Sequence, residues 1–402
     1  YADHRDLHSF PTLRSSDLAK SIIDIHTETI DNICLSFSRN YYRHTEYEAG
    51  NAIGAEYSMW NYSADLRANF SESELARDLI AGATFTANDV KIGGYVFSPP
   101  AVSYNSALYA YNEIAAGDWE FRIGLRISYD IIHPHDYPKE SKIGTIEDKS
   151  FLSPSLAFSV INNVSDAVSI GFNLSRTVRH PSAEELFNEG PHLAAYSYET
   201  GNPSLKKEQS WEYELFGAYS SEWFKISFNL FLNDFDYFII QRNSGKINYA
   251  TLLPVYTATG EKAFIAGFES AAEIKILAGF SSDYVFSYTY GEITGSRSPL
   301  PMIAPAKLLA RIKYSRPELE TGISAEFVSE QNRVDKFEQP TKGYISFGIY
   351  GQYIFTSGGI LHNIAVNLEN VFDTLYRNHL SRIKSIMPEP GINLRLIYKL
   401  LI

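Results

Sequence analysis

The final stretch of the chain, GINLRLIYKLLI (residues 391–402), alternates with period two. Ile392, Leu394, Leu396, Tyr398, Leu400 and Ile402 fall on one face, and Asn393, Arg395, Ile397, Lys399 and Leu401 on the other. Side chains of a strand point alternately to opposite faces, so this segment reads as a strand with one dry face and one mostly polar face. The pattern recurs in FRIGLRISYD (121–130), FKISFNLFLN (224–233), LLARIKYS (308–315) and YISFGIYGQYIF (344–355). A run of about ten residues with one dry face is the unit of a transmembrane β-barrel. The dry faces of a soluble β-sandwich would pack on each other. Here Arg, Lys, Glu and Asn line the opposite faces strand after strand, which suits a water-filled lumen better. In lipid, only helices and closed barrels satisfy every backbone group.

The connections take turns in length. Short ones fall at 115–118, 161–166, 219–222, 277–281, 315–318 and 356–359. Long ones fall at 131–151, 176–207, 241–261, 292–305, 330–342 and 373–390. This predicts an all-β, antiparallel up-and-down transmembrane barrel of about sixteen strands, with tight turns on one rim and long loops on the other. The stretch 63–103 reads as a further long loop with room for a hairpin. No run of about 18 apolar residues suggests a membrane helix. Tyr (28) and Phe (25) are abundant, which favours half-buried strands. A net charge of −12 argues against nucleic acid as a partner. The single cysteine, Cys34, has no internal partner for a disulfide. No GxSxG, HExxH, P-loop or GxGxxG motif is present, so no catalytic residues are assigned and the chain is not read as an enzyme. Residues 1–18, YADHRDLHSFPTLRSSDL, lack the strand period and look like adapter-derived, non-native sequence. The barrel is assigned to residues 19–402.

The segment SRTVRHPSAEELFNEGPHLAAYSYETGNPSLKKEQSWEYELF (175–216) resembles TonB-dependent outer-membrane receptors. The resemblance is carried by Arg179, Pro181, Glu184–Leu186, Gly190, His192 and the GNPSLKKEQS element from Gly201 to Ser210. The end of the chain is similar to the family's last hairpin, through Asn367-Leu368, Asn370, Asp373, Tyr376, His379 and Pro388–Gly391; Gly267–Glu269 and PLPMIAP (299–305) fit as well. GPH and YRNHLS are most similar to the zinc- and haem-receptor branch. Members of this family form barrels of about twenty-two strands around an N-terminal plug domain and usually end in Phe or Trp, where this chain ends in Ile402. The resemblance therefore implies the barrel part of a receptor without its plug and first strands. It also implies the bacterial outer membrane as location, membrane lipid and TonB as partners, and TonB-coupled uptake of a scarce metal, metal–siderophore or haem. No resident cofactor is expected, only metal or haem as transported ligand. A plugless porin-like or adhesin barrel and a soluble β-sandwich binding protein stay open as alternatives.

Candidate ligand contacts lie on the long-loop side. His133, His135 and Asp136 form an HxHD motif that could surround a divalent cation. His192, with Tyr196 and Tyr198 close behind, could face haem or an aromatic siderophore. Arg179 either faces ligand or pins the base of its loop through Glu184 and Glu185. Arg122, Arg126, Lys225, Arg311, Lys313 and Arg395 fall on the polar faces of their strands.

Overall fold

A computed structural model describes residues 13–25, 27–47, 53–73, 77–94, 98–135, 137 and 140–401. Among these, the strands form a 20-stranded sheet and a separate two-stranded ribbon. Among the described residues the one α-helix spans five residues, Ala183–Phe187, and no helix is long and apolar enough to cross a membrane. The chain divides into two compact units.

The first unit comprises Tyr1–Val160, Asn173–Glu212 and Asp234–Lys262. Its strands Leu13–Asp24, Ile30–Tyr47, Ile53–Phe70, Asp78–Gly94, Ala101–Ala116 and Trp119–Pro134 pair antiparallel in chain order. Period two sorts their side chains. Leu35, Phe37, Leu66, Phe85, Leu108, Leu125 and Ile127 are exposed on one face. The other face carries rungs of short polar groups: Ser38 meets Ser63 at 2.7 Å, Asn40 donates to Asn61 at 3.3 Å, and Asn61 donates to Asn88 at 2.5 Å. Leu13–Asp24 follows the pattern least. Its Ser15, Asp17 and Ser21 stand in register with Tyr41, Arg39 and Leu35 on the apolar face.

The second unit comprises Ile161–Phe172, Tyr213–Asn233 and Ala263–Ile402. Ala263–Leu277 pairs with Phe280–Ile293, and Lys307–Ser315, Leu319–Val328, Tyr344–Ser357, Ile360–Glu369 and Asn393–Leu401 continue the antiparallel meander. Ile323, Phe347, Ile349, Leu394 and Leu396 are exposed on the apolar face. On the polar face Lys313 pairs with Asp283 at 2.9 Å, and Arg395 stands opposite Asn367. A contiguous apolar surface of this extent, exposed along every strand, needs a covering that the chain itself does not provide. Aromatic pairs collect beside the short turns: Phe280 with Tyr314 at 4.7 Å, and Phe355 with His362 at 4.7 Å. Such rings suit the polar–apolar boundary of a bilayer.

Alternation predicts about sixteen strands, and the described residues form seventeen of nine residues or more. The extra one lies in 63–103. Ile53–Phe70 runs on past residue 62, and Asp78–Gly94 pairs with it. The apolar face of Asp78–Gly94 includes Ala81, Ala83 and Ala87, whose small side chains make the alternation faint. The expected long loop at 241–261 is also corrected. Phe224–Asn248 and Leu253–Leu277 run to a tight turn, in which Asn248 Oδ1 accepts from the N–H groups of Ala250 and Thr251. The polar run Gln241–Gly245 imitates a loop, but Ser244 Oγ donates across to the Val255 carbonyl at 2.8 Å. The turns use glycine where the backbone demands it, as at Gly117 with φ +60 in AAGD. In NLENVFD, Asn370 and Asp373 take left-handed φ of 51° and 50°. Asn370 holds the turn by accepting from the Thr374 N–H and donating to the Thr374 and Pro390 carbonyls.

Candidate functional site

In the first unit, the connection after Val168–Arg179 folds onto a small core instead of staying open. Ser182 caps the helix Ala183–Phe187 in a capping box with Glu185: each side chain accepts from the other residue's N–H, at 3.2 and 2.8 Å. The helix turns Leu186 and Phe187 inward, both fully buried with Ala101, Ile132, Ile146, Leu205, Ile239 and Ala258. The GNP element closes over it. Gly201 N–H donates to the Asn188 carbonyl at 2.7 Å and Asn202 N–H to the Glu185 carbonyl at 2.9 Å. A Cβ at Gly201 would meet Leu186 and Phe187 backbone atoms at 2.7 Å, so only glycine fits there.

Arg179 ties this loop to its neighbours. Its guanidinium donates to both Glu185 oxygens at 2.8 and 3.1 Å, and to both Glu208 oxygens at 3.2 and 3.0 Å. Burial disfavours the charge, but the bonds to Glu185 and Glu208 outweigh it and push the Arg179 pKa above its usual value. Of the two roles open to Arg179 in the sequence, this geometry performs loop pinning. Glu185 also accepts from the Ser182 N–H, and Glu208 from the Ile239 N–H at 2.9 Å. Arg179→Ala is expected to cost roughly 1 kcal/mol, because the guanidinium is half-exposed and solvent screens the pair. Hydrogen exchange at the Ser182 and Ile239 amides should quicken about five-fold.

The candidate aromatic and imidazole groups share one short hairpin, in which the register pairs His192 with Ser197 and Tyr198 with Pro191, so that the His192 and Tyr198 side chains take opposite faces. His192 and Tyr198 lie on the hairpin Glu189–His192/Ser197–Thr200, with Tyr196 at its turn in a left-handed conformation, φ 50°. His192 Nδ1 lies 3.1 Å from Glu199 Oε1. The buried Glu199 carboxylate also accepts from Ser197 Oγ at 3.2 Å and Asn188 Nδ2 at 2.9 Å. Asn188 Oδ1 is buried without a hydrogen-bond partner among the described residues. Tyr196 is exposed and Tyr198 half-buried. Burial, with Glu189 nearby, raises the Tyr198 pKa.

The HxHD residues diverge. His133 Nδ1 meets Asp148 at 2.6 Å, whereas His135 Nε2 lies 3.9 Å from Asp89. Asp136 lies outside the described residues. Among the described residues, no three His, Cys, Asp or Glu side chains are placed to hold a metal ion. His180 stacks on Phe151 and reaches the buried Asp130 at 3.4 Å. Polar-face cations find partners across the sheet: Arg122 pairs with Glu113 on the adjacent strand at 3.4 Å, and Arg126 donates to Thr84, two strands away, at 3.2 Å.

The second unit carries a cluster that sequence reasoning found only through His379. Glu338 Oε1 lies 3.1 Å from His379 Nε2 and accepts from Lys384 Nζ at 2.7 Å and from the Met302 N–H at 3.1 Å. Lys384 Nζ also donates to the His379 carbonyl at 2.8 Å, and Thr341 Oγ1 meets His379 Nδ1 at 2.9 Å. All four side chains are nearly inaccessible to solvent. Three separate connections are thereby locked together. Glu338 and Lys384 carry no local motif, so only the fold reveals them.

Comparison with known proteins places the chain. The family model "TonB dependent receptor-like, beta-barrel" matches residues 5–371. No curated protein sequence matches. Among solved structures, the copper transporter OprC is similar with a TM-score of 0.80 at 17% identity, covering 95% of this chain and 64% of that one. The FrpB iron transporter from Neisseria meningitidis (F3-3 variant) gives 0.70 at 16%, covering 96% and 62%. The ferric citrate transporter FecA in its unliganded form gives 0.66 at 16%, covering 97% and 60%. The chain thus spans less than two thirds of the length of each of these three proteins. With most of its length matched by the family model, the chain belongs to the TonB-dependent receptor-like β-barrel family, non-enzymatic transport proteins of the bacterial outer membrane.

Proposed function

We propose that the chain forms the wall and outer loops of a receptor that captures a scarce metal, metal–siderophore or haem and passes it inward by TonB-coupled transport. The observation that carries this reading is the built character of the long connections. Buried cores and ion pairs hold them as a fixed surface, which lowers the ordering cost of capturing a dilute ligand. The solved relatives named for copper, iron and ferric citrate transport support the ligand class. Tyr196, Tyr198 and His192 are the side chains proposed to meet ligand, with Arg179 holding their loop. His133, His135 and Asp136 are proposed as a metal-contacting group whose imidazoles exchange their carboxylate partners for the cation.

The test is uptake of labelled zinc and haemin at limiting concentration by cells expressing the gene, with and without TonB. Accumulation is expected to fall to background without TonB. Equal uptake in both strains would instead mark a passive, porin-like pore. In parallel, titration calorimetry of the protein with zinc and haemin should show loss of affinity, by about ten-fold or more, in Tyr196→Ala for haemin or in a His133→Ala/His135→Ala pair for zinc. Unchanged affinity for both ligands would remove these residues from the site.

A further inference from the structure

The polar face of the first unit changes character towards its long-loop end. As far as the rung Asn61–Asn88–Ser103 it carries amides and hydroxyls, and beyond it Met59 stands in register with Val90 and Tyr57 with Ile92. Ala101, in register with Val90, and Ile132, opposite Ser103, extend this apolar patch. Ser182, Ala183 and Glu184, from the connection after Val168–Arg179, meet the patch across a cavity of ≈ 400 Å³. Small-ligand pockets run from about 300 to 1,000 Å³. The floor is Met59, Val90, Ile92, Ala101 and Ile132, the last three buried. His180 also lines the cavity, held in place by the Phe151 ring at 6.1 Å, the Pro181 carbonyl at 2.8 Å and Asp130 at 3.4 Å.

Glu184 is the one acid in the lining, and no Lys or Arg joins it among the described residues. Its neighbour Glu185 is occupied by Arg179 and Ser182, whereas no hydrogen bond or ion pair holds the half-buried Glu184 carboxylate among the described residues. Its charge reaches the Tyr57 hydroxyl. The Tyr57 ring is fixed by His44, stacked at 5.6 Å, and by Tyr42 at 6.3 Å. Thr86, Ser98 and Ser103 add hydroxyls to the lining, none with a side-chain partner among the described residues. The charged groups around the cavity are engaged elsewhere. Glu46 meets His44 at 3.4 Å, Arg14 lies over the Tyr42 ring at 5.3 Å, Asp130 meets His180, and Arg126 donates to Thr84 and to Asn105 at 3.5 Å.

We propose that this cavity binds a small organic cation, an ammonium carried on a compact apolar body. A half-buried carboxylate without a cation of its own is costly to desolvate, and an ammonium beside it offsets that cost through charge-assisted hydrogen bonds. The Tyr57 ring adds a cation–π contact. The hydroxyls accept the remaining N–H groups of the ammonium, and the floor takes the apolar body out of water. An anion of the same shape meets Glu184 and finds no compensating cation in the lining. The site is separate from the loop hairpin, since none of His192, Tyr196 and Tyr198 lines the cavity.

Titration calorimetry of the detergent-solubilised protein tests the proposal. The probe is cyclohexylmethylammonium, with cyclohexylmethanol and cyclohexanecarboxylate as neutral and anionic counterparts of the same ring. The ammonium is expected to bind about ten-fold tighter than the alcohol, and the carboxylate more weakly than either. Glu184→Gln should remove the preference for charge and keep the affinity for the alcohol, because the capping box of Ser182 with Glu185 is untouched. Val90→Trp, which fills the floor, should abolish binding of ammonium and alcohol alike. Glu222→Gln, exposed on a short turn, removes the same charge elsewhere and should leave the preference intact. Heat-modifiable gel migration confirms that each variant is folded. Equal binding of ammonium and alcohol by the wild type, or an undiminished preference in Glu184→Gln, overturns the proposal. So does retained affinity in folded Val90→Trp, or an equal loss in Glu222→Gln.

Discussion

Acidification from pH 5 to pH 2 is expected to release the connections tied by Glu338 while leaving the strands paired. Burial alone would raise the Glu338 pKa, but the bonds from His379 and Lys384, the Lys384 charge and the Met302 N–H reverse this and hold it at about 2. A carboxylate depressed in the folded protein contributes stability that is fully present above its unfolded pKa, near 4.5, and lost as pH falls towards the folded value. A shift of this size corresponds to about 3 kcal/mol. Glu338 is nearly inaccessible to solvent, so little of that is screened away. Pepsin, active across this range, should cleave within 376–390 about a hundred-fold faster at pH 2 than at pH 5, after correction with an unstructured peptide. Glu338→Gln should flatten the profile. A flat profile in the wild type would sink the idea. Lys384→Met should loosen the same connections at neutral pH by about 3–5 kcal/mol, because it leaves Glu338 buried without its cation.

The second large effect concerns Phe187. It is fully buried at the centre of the loop core, and truncation to Ala leaves a cavity that the surrounding strands are too rigid to fill. Losses for such changes run to about 3–5 kcal/mol. The damage should stay local. The amides of Gly201 and Asn202, bonded to the Asn188 and Glu185 carbonyls, are expected to exchange more than a hundred-fold faster. Amides between paired strands such as Ala101–Ala116 and Trp119–Pro134 should keep their protection. Uniform loss of protection in both places would show that the loop core supports the sheet, contrary to this reading.

How much of this was legible in the sequence depended on side-chain size and range. Strands whose dry face is built of Leu, Ile and Phe announced themselves, as in 121–130 and 224–233. Asp78–Gly94, with alanines on that face, did not, and the polar end of Phe224–Asn248 passed for a loop. Short polar runs read alike in a turn and in a strand that has left the membrane. Of the candidate contacts, His192, Tyr196 and Tyr198 share one hairpin because they are close in sequence, but its register turns His192 and Tyr198 to opposite faces. The ties that fix the connections span much longer separations. Glu208 holds Arg179 across 29 positions and Glu338 holds Lys384 across 46. No local pattern encodes such pairs. His133 and His135 show the converse, since adjacency in sequence suggested one site and the fold gives them different carboxylates.

The left-handed residues of NLENVFD bear on how such a protein could be rebuilt. Asn370 and Asp373 are occupied in shaping backbone, as Gly201 is in the GNP element, so these signatures carry an address for the scaffold and no message about cargo. They behave as splice points. Segments strung between them, such as the tip around Tyr196 or the turn at 249–252, could be exchanged among relatives as cassettes, with the fasteners left in place and a new specificity carried by the insert alone.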